Sequence, residues 1–251
     1  MKFVFFIFLS VFMLVGQAQK NQPLKLWYKQ PSGTTWENAL PIGNGRLGAM
    51  VYGNVETETV QLNEHTVWSG SPNRNDNPLV RDSLAVLRQL VYDGRQKDAE
   101  RIANRIIISK GSHGQMFQPV GELKLAFDGH ETYTDFYREL DIEKAVAKTS
   151  YTVAGVTYTR EVLASLPDRV VVIRLTASRP QSLHFTAFYA PLLPGAKRTV
   201  DPTRQLLLAG TAMDHEGVKG QVRYKAIAKI KTEGGTVATT DTTVRINGAT
   251  A

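Results

Sequence analysis

Cysteine is missing altogether from these 251 residues. The chain can close no disulfide and offer no thiolate to a zinc ion, which removes the disulfide-stapled and zinc-finger classes of domain. Charge of one sign is never concentrated either. Lys and Arg number 30 against 23 Asp and Glu, a net charge of +7, yet no four basic residues run together. A nucleic-acid groove wants clustered cations interleaved with exposed aromatics, so no nucleic-acid partner is expected. The five histidines, His65, His113, His130, His184 and His215, stand apart, with no H-x₃-H or H-E-x-x-H spacing. No metal is expected from them. G-x-S-x-G is absent too, and with it the signature of a nucleophilic serine.

Long apolar runs are equally scarce. The longest, FVFFIFLSVFMLV at residues 3–15, covers 13 residues, short of the ~20 that a helix needs to cross a bilayer. Lys2 precedes it, and Gly16 and Ala18 place small residues at −3 and −1 of a cut before Gln19. Residues 1–18 read as a secretory signal, so export to the periplasm or the cell exterior is expected, with no membrane attachment after cleavage. No cysteine follows the run to carry a lipid. The remaining 233 residues (251 − 18) suffice for one large domain or two small ones.

What the chain has in quantity is alternation. In VTYTREVLAS, Val156, Tyr158, Arg160 and Val162 share one face, and Thr157, Thr159, Glu161 and Leu163 the other. Ala154-Gly155 before it is a two-residue link that closes a hairpin with KTSYTV. RVVVIRLTA at 169–177 is a continuous β-branched run, suited to a central strand covered on both faces. GQVRYKAIAKI alternates again, and GGTVATTDTTVRING holds two short strands around a polar turn. The sum predicts a mainly β, antiparallel sandwich.

One helical island, about residues 78–108, interrupts it. Asn77-Pro78 reads as a cap followed by proline at the first helical position. Val80, Leu84, Leu87 and Val91 then recur at helical spacing up to Gly94, and Ala99, Ile102, Ala103 and Ile106 form a second stripe. Two helices packed against a sheet are expected. The NRNDN segment at 73–77 offers oxygen ligands but lacks the glycine and closing Glu of a calcium loop, so it reads as a loop with a helix cap.

Gly43, Gly45 and Gly48 in LPIGNGRLGAMVYG fall at G-x-G-x-x-G spacing. A dinucleotide turn needs a buried parallel strand before it and a helix after it. Here a strand pattern follows, and Pro41 sits where a central strand would lie. No cofactor is expected. Asn44-Gly45 instead marks a hairpin with Gly48 allowing close backbone approach, and it leaves Asn44 and Arg46 at an exposed tip that is either structural or turned toward a ligand or another domain.

Several stretches carry a resemblance. Residues 26–72 (LWYKQPSG through VWSGSP), FQPVGELKLAF at 117–127, YRELDIEKAVAKTSYTV through VIRLTA at 137–177, and GVKGQVRYKAIAKI at 217–230 resemble, in order, the amino-terminal domain of glycoside hydrolase family 95, the inverting α-L-fucosidases. The resemblance spans nearly all of 19–251 and implies a β-super-sandwich. It also implies a following (α/α)₆ barrel that holds the general-acid Glu, the general-base Asp and the assisting Asn residues. No stretch of 19–251 matches that barrel, so no catalytic residue is carried over. Residues 19–251 are expected to be a β-sandwich domain incomplete at its C-terminal end, inactive alone. The partners implied are the barrel of the same polypeptide and a fucosylated glycan, without a cofactor.

The chain's own carboxylates agree with that. Inversion needs an acid and a base ~6.5–9.5 Å apart. Glu56 and Glu58 share a strand face at about that separation, but such a pair, like Glu122, reads as a solvated face. Trp36, Glu37, Asn44, Arg46, His65 and Trp68 flank two turns and form the candidate contact surface. Aromatic faces and planar polar groups suit a sugar; core packing, interdomain packing and contact with the barrel's active-site mouth suit the same residues. A stand-alone carbohydrate-binding sandwich and a non-functional truncated copy are the competing readings.

Overall fold

The computed structural model describes residues 23–74, 76–109 and 114–251. The expected signal at 1–18, His113 and part of the 73–77 segment lie outside them.

Three antiparallel sheets form the described chain. A seven-stranded sheet has the order β14-β15-β10-β5-β4-β3-β2, built from β2 (Leu40–Gly43), β3 (Leu47–Val51), β4 (Thr57–Glu64), β5 (Gly121–Ala126), β10 (Leu183–Ala190), β14 (Thr236–Thr239) and β15 (Thr243–Ala249). A five-stranded sheet, β1-β6-β7-β8-β9, uses β1 (Lys25–Tyr28), β6 (Thr134–Asp141), β7 (Val146–Val153), β8 (Val156–Ser165) and β9 (Val170–Ala177). A three-stranded sheet, β11-β12-β13, joins Lys197–Val200, Leu206–Thr211 and Arg223–Ala228. The five-stranded sheet covers one end of the seven-stranded sheet, through β7, β8 and β9 against β2 and β3. The three-stranded sheet covers the other end, through β12 against β10 and β11 against β15. The mainly β, antiparallel sandwich expected from period two is what forms.

The alternation in β8 works as read. Val156, Tyr158, Arg160 and Val162 are all buried, and the odd row is not. Ala154 and Gly155 have φ of 48° and 73°, the two left-handed residues that a two-residue hairpin of right-handed twist requires. Val60, Leu123, Ala187, Val244, Ile246 and Leu208 meet the inner rows in one continuous core.

A charged cluster lies inside that core. The Arg160 guanidinium donates to Glu58 Oε2 at 3.2 Å, to the Asn54 and Val55 carbonyls and to the Tyr151 hydroxyl, and its Cζ sits 4.1 Å from the Phe127 ring centre. Glu58 Oε1 accepts from the Gly53 and Thr59 amides at 2.8 and 3.1 Å. Burial pushes the Glu58 carboxyl up, against the pull of Arg160. The solvated face expected for Glu56 and Glu58 is therefore corrected. Glu56 is exposed ahead of β4, while Glu58 turns inward and is 1% exposed, because a buried arginine needs a counter-ion. His130 is buried beside them, its Nδ1 3.0 Å from the Tyr151 hydroxyl and its ring stacked on Phe127.

Three further expectations change. The run at 169–177 is not a central strand: β9 is the last strand of its sheet, and Val170 and Val172 are 44% and 42% exposed. One row of its β-branched residues faces the core, and the other is uncovered within the chain. The helices, α1 (Leu79–Tyr92) and α2 (Gln96–Ile106), pack on each other rather than into the sheet core. Leu87, Leu90, Ala99 and Ile106 form their own small cluster, while Leu84 and Val91 stay exposed. Their signals hold all the same: Asn77 Oδ1 accepts from the Leu79 amide at 3.2 Å. Gly94, at φ 72°, closes α1 with Gly94 N to Val91 O and Arg95 N to Leu90 O, the paired bonds of a Schellman stop. Lastly, Gly48 has only ordinary contacts where a Cβ would stand, so close approach does not explain it. The excursion carrying the helices leaves and returns at one place, where the Ser69 amide donates to the Met116 carbonyl at 2.9 Å.

Candidate functional site

The glycine-rich stretch makes a hairpin, not a phosphate cradle. Gly43 pairs with Gly48 across β2 and β3, and β2 is an edge strand, where Pro41 forfeits no ladder bond. Only Gly45 of the turn has positive φ, 84°. Asn44 works through its side chain instead: Oδ1 accepts from the Arg46 and Leu47 amides at 3.1 and 2.8 Å, and Nδ2 donates to the Ser165 carbonyl at 2.7 Å. Asn44 is thus a clasp between the two large sheets, not a free tip. This corrects its expected position.

Arg46 does stand at the surface, beside the end of β4. Its Nε donates to Glu64 Oε1 at 3.0 Å, and its carbonyl accepts from the His65 amide at 3.0 Å. His65 Nδ1 lies 3.4 Å from the same Glu64 oxygen. Burial alone would raise the Glu64 carboxyl, but Thr66, through hydroxyl and amide, and Arg46 outweigh it and hold it below the ordinary range. Trp68 completes the group. Its Nε1 donates to the His65 carbonyl at 2.8 Å, and its ring centre is 5.4 Å from that of Phe117.

Trp36 and Glu37 lie in a short 3-10 turn, Trp36–Asn38, ahead of β2. Trp36 Nε1 donates to Gln61 Oε1 at 2.7 Å. Gln61 is in register with Met50 on β3 and Glu122 on β5, so the indole reaches over the outer face of the seven-stranded sheet. Burial first, then the carboxylates of Glu122 and Glu37, push the Tyr52 phenol up, which places these groups in one neighbourhood. Lys124 Nζ bonds Glu122 Oε2 at 3.1 Å.

Five of the six residues therefore fall into two separate groups along β4 and its flanks, Trp36 and Glu37 near Gln61, and Arg46, His65 and Trp68 near Glu64, with Asn44 withdrawn between the sheets. Gln61 and Glu64 are three residues apart along the strand, about 10 Å, and that odd spacing sends their side chains to opposite faces of the sheet, so the two groups do not make one surface. Trp36 and Trp68 are 49% and 44% exposed, which removes core packing within this chain as their role. Each indole N–H is already satisfied, so what they present is ring face, suited to C–H stacking on a sugar or to another apolar surface. Glu64 and Glu122 are held by Thr66, Arg46 and Lys124, so neither stands as a free acid opposite a free base. Phe117 and Gln61 belong to these groups but went unread, while Glu122, expected on a solvated face, is instead part-buried against Lys124. Phe117 had no short-range signal, since only the Trp68–Phe117 bridge brings it in.

Elsewhere, a cleft of about 580 Å³ between α1 and α2 is lined by Leu84, Leu87, Val91, Tyr92, Ala99 and Ala103, with Glu100 as its one carboxylate. Among the described residues no three His, Asp or Glu side chains gather as metal donors.

Comparison with known proteins gives this surface its setting. Residues 26–251 match the family described as glycosyl hydrolase family 65, N-terminal domain. "Alpha-L-fucosidase 2" of Arabidopsis thaliana is 39% identical over 201 residues, covering 79% of this chain and 23% of the plant protein. "Probable alpha-fucosidase A" of Aspergillus oryzae is 28% identical over 172 residues, covering 66% of this chain and 23% of that protein. Its namesake in Aspergillus niger is 25% identical over 162 residues, covering 61% and 20%. The chain thus spans less than a quarter of the length of these relatives. The resemblance to the amino-terminal part of α-fucosidases holds, and the chain belongs to the glycosyl hydrolase family 65 N-terminal domain family, in the form found in α-fucosidase-type glycoside hydrolases.

Proposed function

We propose that this chain is the non-catalytic amino-terminal domain of an exported glycosidase that removes terminal α-L-fucose with inversion, and that it supports a following catalytic barrel. Arg46, His65 and Trp68 at the end of β4 and, separately, Trp36 beside Gln61 are the surfaces offered to that barrel or to the glycan in its mouth. The observation that carries the reading is the match over residues 26–251 to an amino-terminal domain, together with relatives named as α-fucosidases, of which the chain covers 20–23%. Catalysis then belongs to the rest of the polypeptide, and this domain contributes position and surface.

Expression of the intact polypeptide with an α-L-fucoside, followed by NMR of the first-formed sugar, tests it. Release of the inverted β-anomer is expected, with no turnover by residues 19–251 alone. Release of the retained α-anomer, or turnover by the isolated domain, refutes the reading. An exported product beginning at Gln19, read by mass spectrometry, is expected for the address.

The two open indole faces favour a second reading, a sandwich that binds fucosylated glycans by itself. It requires calorimetric heat with such glycans in the isolated domain, lost in Trp36→Ala or Trp68→Ala.

A further inference from the structure

A ladder left open on one side is a template for another strand, and proteins blunt such edges with short strands, charge, proline or bulges. Five of the six sheet edges described here are blunted. β1, β2, β11 and β14 run for four residues each, β2 also carries Pro41, and β13 turns Arg223 and Lys225 outward. β9 has the least of these. Its eight residues pair with β8 in unbroken register from Ser165↔Val170 to Tyr158↔Ala177. It holds no proline and one charge, Arg174.

The core beneath it is also unfinished. Val171, Ile173, Leu175 and Ala177 face inward but are only partly buried. Next door on β8, Val156 and Val162 are 3% and 1% exposed. Leu166, before the strand, is 71% exposed.

The path of the chain supplies the occupant. After β15, the Thr250 amide donates to the Glu233 carbonyl, and the Thr250 hydroxyl accepts from the Gln181 amide at 3.3 Å. Gln181 lies in the short connection from β9 to β10, and Ser178 in that connection still bonds Thr157 of β8. Thr250 therefore lies beside the connection that follows β9, one residue before Ala251, whose carbonyl accepts from the Glu233 amide at 2.9 Å. A polypeptide continuing from there and turning back along β9 runs antiparallel to it, with no crossover.

We propose that, in a polypeptide that continues past Ala251, the segment directly after it pairs antiparallel with β9 as a sixth strand of the five-stranded sheet. It completes the open ladder and covers the row Val171, Ile173, Leu175. Such a strand places apolar side chains at alternate positions, in step with that row. This rests on reading the chain as the amino-terminal part of a longer protein, as in the plant relative, 23% of whose length it covers.

Val172 points outward, so a photo-crosslinking benzoylphenylalanine replaces it without disturbing the core. Incorporated into the intact polypeptide and irradiated, it is expected to link within the first ~20 residues after Ala251, the length of a short turn and a strand. A link to a second copy or to a more distant segment, or no link, overturns the proposal. Hydrogen exchange gives an independent readout: alternate amides of 170–177 are expected to exchange about 100-fold more slowly in the intact polypeptide than in the 251-residue chain. Equal rates overturn it. Fucoside hydrolysis without the link sinks the strand pairing alone; the link in a protein that cleaves no fucoside sinks only the proposed function.

Discussion

Arg160 occupies an apolar row of β8, between Tyr158 and Val162, and its charge is balanced by Glu58 on the opposing sheet. Removing one partner strands the other in the core. Arg160→Met is expected to cost about 3 kcal/mol or more, seen as a fall in Tm of roughly 6–12 °C; the double variant with Glu58→Gln recovers part of that loss. This pair was half legible. A lone cation in a buried row demands a carboxylate, but only the fold says which one, and reading Glu58 with Glu56 misplaced it. His130 gives a pH prediction. Burial, then the Arg160 charge, with a smaller push from His184, outweigh Glu131 and Asp128 and press its imidazole down to about 4. Above pH ~6.5 both folded and unfolded forms are neutral, so stability is flat on its account. Between pH ~6.5 and 4 the unfolded chain takes up a proton that the fold refuses, and stability falls by up to about 1.4 kcal/mol per pH unit. Urea midpoints at pH 7, 6 and 5 check this: His130→Gln should be flatter over that range, and parallel curves would refute it. The exposed indoles behave differently. Trp36→Ala and Trp68→Ala should leave Tm nearly unchanged; on the proposed function, whichever indole meets the sugar should also lower kcat/KM of the intact protein about tenfold, the loss of one stacking contact.

Hairpins show how far local chemistry reaches. The β7–β8 turn was legible because two left-handed residues are needed there, yet Ala154 is a poor occupant at φ 48°. An L-residue other than Asn or Asp costs ~1–2 kcal/mol in that conformation. Ala154→Asn should therefore raise stability by about 1 kcal/mol, measured as a shift in urea midpoint with an unchanged m value. At the β2–β3 turn the same dipeptide logic found the hairpin but missed its working part. Asn44 acts through its amide side chain, and its tie to Ser165 spans residues too far apart in sequence for any local pattern to show. The helices were legible from their caps, since Asn77 and Gly94 satisfy backbone groups within a few residues. Their destination was not, because a stripe such as Leu84 and Val91 says that a face is apolar and nothing about what meets it. β9 makes the same point less sharply: its first four residues are β-branched on both rows, and only Arg174 marks the open one.

At the scale of the molecule, open and closed edges decide how the chain behaves in solution. An eight-residue edge with one charge is an aggregation template. In the 251-residue chain, Val172→Lys is expected to lower light scattering at high concentration with little change in Tm; unchanged scattering would refute β9 as the sticky edge. The candidate surface was legible as a set of residue types flanking two turns, and its division into two groups along β4 was not, because that depends on strand register across β3, β4 and β5. The bond from Ser69 to Met116 has an engineering consequence. It brings the two feet of the helical excursion together, so the span between them resembles a handle on a vessel: it can be sawn off and the gap bridged by a few flexible residues, or exchanged for a reporter protein, and the vessel should still melt at its original temperature.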